Sequence, residues 1–166
     1  MKKQIALIIG IIILVCNLTS CKYHSLSAED EAKIKENTDS FHTNLIKECT
    51  DYKTIALKDI TPFEWDKVFL FRTYYPKEDI IKKVGINWSE ITDTLSEGIT
   101  NMIFMKDEKI VCYYLGYNYH PSYGSRNSET SYWFGDENLE LDINDNPKFT
   151  ITGIYGSTIE LQHINN

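Results

Sequence analysis

Residues 63–71 read Phe63-Glu64-Trp65-Asp66-Lys67-Val68-Phe69-Leu70-Phe71, the most apolar run of the chain after residue 20. From Val68 onward its branched and aromatic residues follow one another without the polar alternation of a half-solvated strand. Such a run predicts a central β-strand covered on both faces. Thr61-Pro62 breaks the chain before it. Pro76 at a first helical position and Gly85 just past the end bracket a short helix, Pro76 to Val84, after it.

Working outward, the flanking chain supplies partners for that strand. Upstream, Ser27 followed by Asp30 reads as a capping box. Glu29, Asp30 and Glu31 crowd the first turn, where the helix dipole favours negative charge. Ile34, Phe41, Leu45 and Cys49 fall on one stripe, so this helix runs to about Glu48. Tyr52 to Ile60 reads as a strand, with Ile55 and Leu57 alternating against Thr54, Ala56 and Lys58. Downstream, Ile86 to Glu97 is ambiguous, although Trp88, Ile91 and Leu95 sit at helical spacing. Ile99 to Met105, the polar Lys106-Asp107-Glu108, and Lys109 to Tyr117 predict a β-hairpin. Asn118 to Ser131 carries turn chemistry. Tyr132-Trp133-Phe134 starts another strand or a loop edge. Leu139, Leu141 and Ile143 alternate with Glu140, Asp142 and Asn144, and Asp145-Asn146-Pro147 turns the chain. Phe149 to Ile154 and Ile159 to Ile164 complete the strands. The pattern predicts an α+β fold: a mainly antiparallel sheet of six or seven strands with two helices packed on one face. No repeat or linker interrupts residues 29–166, which read as one domain.

The start of the chain carries an address. Lys2 and Lys3 precede an apolar run from Ile5 to Val15, and Leu18-Thr19-Ser20-Cys21 follows. This is the anatomy of a secretory signal, and the last four residues resemble a bacterial lipobox. A membrane-spanning helix needs ~20 apolar residues, and Asn17 interrupts this run well short of that. The resemblance implies a signal peptide over 1–20, cleavage between Ser20 and Cys21, and diacylglycerol with an N-acyl chain on Cys21 as the only covalent group. Cys16 is the rival lipid site, but it follows the bulky, branched Val15. Residues 21–28 then form a short tether, and the chain sits lipid-anchored on the extracytoplasmic face of a bacterial membrane, inner or outer. The segment from Phe63 through Val68, the aromatic strand, the Tyr-Pro and the short helix to Gly85 also resembles a recurrent pattern in small bacterial envelope lipoproteins. That resemblance implies an envelope location and no particular activity.

Composition narrows the partners. Without Lys2 and Lys3, 15 basic residues stand against 24 acidic ones, a formal charge of −9. Nucleic acid is excluded, since its binding rests on neutralising phosphates with Lys and Arg. A basic protein would be steered in. With Cys16 removed and Cys21 lipidated, Cys49 and Cys112 remain, either bridged, as an oxidising compartment permits, or as two separate buried thiols.

Catalytic signatures are sparse. His24, His42, His120 and His163 have no ligand spacing, so no metal site is expected. The Asp142–Pro147 stretch begins like a calcium loop but puts Pro147 where glycine is needed. No nucleophile elbow or phosphate loop occurs. The positive signal is aromatic: Tyr119, Tyr123, Tyr132 and Trp133 flank a loop of Pro, Ser, Gly, Asn and Arg126, the composition of adaptable recognition loops. The same tyrosines also suit the two faces of a sheet. The sequence therefore predicts a non-enzymatic, membrane-anchored binding protein with no cofactor and a protein or peptide partner. The alternative is an envelope inhibitor or immunity protein against a basic toxin or enzyme. A hydrolase of wall or peptide substrates comes third.

Overall fold

The computed structural model describes residues 26–94, 99–117, 131–135, 137–156 and 158–164. In chain order the elements are α1 (Ala28–Glu48), β1 (Thr54–Ala56), α2 (Leu57–Ile60), β2 (Lys67–Phe71), α3 (Lys77–Val84), β3 (Ile99–Lys106), β4 (Lys109–Tyr117), β5 (Ser131–Trp133), β6 (Leu139–Asp142), a 3-10 turn (Ile143–Asp145), β7 (Lys148–Tyr155) and β8 (Thr158–Ile164). The class is α+β. The strands number eight and divide into two sheets, β4-β3-β2-β6 and β1-β7-β8-β5. Pairing is antiparallel except between β5 and β8. Alternation along each strand predicts a strand but not which sheet it joins, which is why one sheet of six or seven was the simpler expectation.

β2 is central, between β3 and β6: Val68 lies opposite Phe104 on one side and Leu141 on the other. Its successive side chains divide between two cores. Val68 and Leu70 join Phe41, Leu45, Met102 and Phe104, together with Phe149, Ile151 and Leu161 of the second sheet. Phe69 and Phe71 face Ile80 and Val84 of α3, with Trp88, Ile91 and Ile103. The uninterrupted apolar run is thus explained by a sheet buried on both faces. Trp65 packs in the first core and donates its Nε1–H to Thr61 Oγ1 at 2.8 Å.

α1 begins at the capping box formed by Ser27 and Asp30. It does not lie on a sheet face beside α3, as expected, but along the outer edge of β4. Ile34 enters the α3-side core while Phe41 and Leu45 enter the other. Between them Asn37 Nδ2 donates to the carbonyl of Val111 at 2.8 Å, and Thr38 hydrogen-bonds the backbone of Tyr113. An edge strand exposes unpaired backbone groups, and here the helix supplies side chains that satisfy them.

Two further expectations change. The strand over Tyr52–Ile60 is only β1; from Leu57 the chain makes the single turn α2, which buries both Leu57 and Ile60 at a spacing of three. Ile86–Thr94 has no helix. Trp88 and Ile91 are buried, but only an isolated Ile91 N–H to Trp88 carbonyl bond joins them; Leu95 lies outside the described residues. α3 is as expected to within a residue, with Gly85 at φ 81° in the left-handed cap position.

Candidate interaction surface

Several residues singled out in the sequence lie outside the described residues: Ser20, Cys21, Tyr119, Tyr123 and Arg126. The others are placed. Tyr132 is a core residue, 1 % exposed, which corrects its assignment to a binding loop. β5 pairs with β8, Tyr132 opposite Ile159, and strand alternation turns its ring inward to meet His42 edge-on at 5.9 Å. Trp133, the next residue, is half-buried, and its Nε1–H is buried without a hydrogen-bond partner. The Cys49–Cys112 bridge is not formed. Both are buried free thiols, and burial pushes each up to about 12. Neither is an activated nucleophile, which needs the thiolate.

Charged groups on the sheet surface are mutually engaged. Glu140 on β6 accepts from Lys67 and from Lys83, each at 2.6 Å, and both ammonium groups stand near the Phe69 ring at 5.8 and 5.9 Å. Lys67, then Lys83, holds the Glu140 carboxyl below the usual carboxylate range. This cluster ties β6 and α3 to β2. Among the described residues no group of three or more His, Cys, Asp or Glu converges as a metal site would require.

The irregular geometry gathers at one end of the β4-β3-β2-β6 sheet. Ile99 pairs with Tyr117, and Thr73 Oγ1 donates to the Ile99 carbonyl at 3.4 Å. Thr73, Ile99 and Tyr117 therefore form the last row of the sheet. Residues 118–130 follow Tyr117 from this row. Beside it, Arg72–Tyr75 makes a projecting tip. Tyr74 is 61 % exposed yet holds φ at 64°, a left-handed conformation that costs an aromatic residue free energy.

Thr94, fully buried, holds the tip in that shape. Its hydroxyl donates to the Arg72 carbonyl at 2.6 Å and accepts from Tyr75 N–H at 2.7 Å. Its backbone N–H donates to the Tyr75 carbonyl at 3.2 Å, and its carbonyl accepts from Tyr74 N–H. Asn138 Oδ1 accepts from Arg72 N–H at 3.0 Å on the other flank. Beneath the tip Asn101, opposite Phe71 on β3, is fully buried. Its amide nitrogen donates to Tyr113 Oη at 3.2 Å while Oδ1 has no hydrogen-bond partner. Sequence reasoning missed this site, because position 74 carries no glycine or asparagine to signal a left-handed residue.

Comparison with protein-family models finds no match, and neither curated proteins nor solved structures give one.

Proposed function

We propose that the chain is a lipid-anchored extracytoplasmic binding protein, held by acyl groups on Cys21 and acting through the end of the sheet from which residues 118–130 depart. The observation that carries the anchored part is the distance in sequence between the lipobox and the fold. The capping box on Ser27 starts α1 at Ala28, leaving residues 22–27 as the connection to Cys21. At most ~3.5 Å per residue, that connection spans roughly 20 Å. The body is then presented close to the bilayer, at a fixed end of α1. Two or three acyl chains suffice for a stable hold, each buried CH2 contributing about 0.8 kcal/mol.

The binding part is supported by the clustering of a strained, exposed tyrosine, an orphaned buried amide and the origin of the aromatic loop at one sheet end. Local departures from folding economy of this kind gather at functional sites. The test combines two measurements. Cys21→Ser abolishes lipid labelling and moves the protein out of the membrane fraction, whereas Cys16→Ser does neither; normal labelling of Cys21→Ser removes the anchor from the proposal. In-cell crosslinking with Tyr119 or Tyr123 replaced by a photoreactive phenylalanine recovers a defined partner; failure at both positions removes the loop.

A further inference from the structure

We draw no further inference here: the strongest candidate, the outer face of the β1-β7-β8-β5 sheet, where Thr54, Thr150 and Gln162 share one row and the Tyr155 ring stands exposed, is an unpartnered sheet face, and nothing in the structure shows what covers it.

Discussion

The carboxylate of Asp66 accepts the backbone N–H of Asp107 at 2.9 Å, joining the entrance of β2 to the turn of the β3–β4 hairpin. Its other oxygen accepts from Lys106 Nζ at 2.7 Å. Asp107 and Glu108 both hold positive φ, 48° and 60°, as the two central residues of a type I′ hairpin turn must. Asp107 is among the residues this turn favours at its first central position, but Glu108 at the second is not the glycine it prefers, and the Asp66 side-chain clamp helps to hold the turn around it. Glu108→Gly is expected to raise stability by about 1 kcal/mol, read from the urea midpoint. Asp66→Asn weakens the clamp. The Lys106 hydrogen bond, then that of Asp107, holds the Asp66 carboxyl below its ordinary 3.8. A depressed carboxyl contributes stability that is present above 3.8 and is lost as pH falls through its lower folded value. Asp66→Asn should therefore flatten the acid limb of the stability profile below pH 4. An unchanged limb would show that the clamp contributes nothing.

The edge of β4 offers a second test. Tyr113 N–H donates to Thr38 Oγ1 at 3.3 Å, and the Thr38 hydroxyl is within donating distance of the Tyr113 carbonyl at 3.1 Å and the Ile34 carbonyl at 2.8 Å. Thr38→Val keeps the shape and removes the hydroxyl, leaving the Tyr113 backbone pair without its partner under the helix. The expected loss is about 1–3 kcal/mol in chemical unfolding, and Thr38→Ser, which keeps the oxygen, should recover most of it. Equal losses for the two variants would mean that packing of the methyl, not capping of the edge, is what Thr38 provides.

These contacts show what the sequence could and could not reveal. The capping box at Ser27, the hairpin and the short helix bracketed by Pro76 and Gly85 are local devices, written in residues a few positions apart, and they are found to within a residue of where they are expected. The double burial of Val68–Phe71 was also legible, because no polar residue interrupts it. The position of α1 was not. Its stripe of Ile34, Phe41 and Leu45 says which face is buried but not that the face straddles a sheet edge; Asn37 and Thr38 carry that information through partners about 75 positions away. Tyr132 was misread because a tyrosine beside a polar loop looks the same whether alternation turns it inward or outward. Tyr74 was invisible because a strained residue, by definition, contradicts its own preference.

The approach of β4 to β5 is expected to be the least tolerant point of the fold. A Cβ built on Gly116 would collide with the Tyr132 carbonyl oxygen, a backbone atom held in β5. At Gly153 the nearest atoms belong to the far end of the exposed Tyr155 ring, which can swing away. Gly116→Ala should therefore cost about 2–3 kcal/mol through forced backbone movement, while Gly153→Ala stays within about 1 kcal/mol. Thermal unfolding of the two variants side by side checks this. Similar Tm values for both would show that β5 gives way easily and that the two sheets are not pressed together at this point.

The two buried thiols make the last prediction, and it concerns alkaline pH. Cys49 and Cys112 are pushed up from 9.0 to about 12 by burial. Their protonated form is favoured in the folded state, so the stability tied to them is fully present below pH 9. It falls as pH rises from 9 toward 12, where the unfolded chain ionises its thiols and the folded chain does not. Protein taken from the envelope should give no reaction with a thiol reagent at pH 8 while folded, and reaction at both Cys49 and Cys112 when denatured without reductant. Its unfolding midpoint should drop steeply above pH 9. Cys49→Ala with Cys112→Ala should be less stable at pH 8, through lost packing, but show a shallower fall above pH 9. The remaining slope would come from buried Tyr114 and Tyr132, which desolvation also pushes up. Absence of titratable thiols in the denatured protein would mean that the two cysteines pair in the envelope. An identical alkaline slope in the double variant would mean that the tyrosines alone set it.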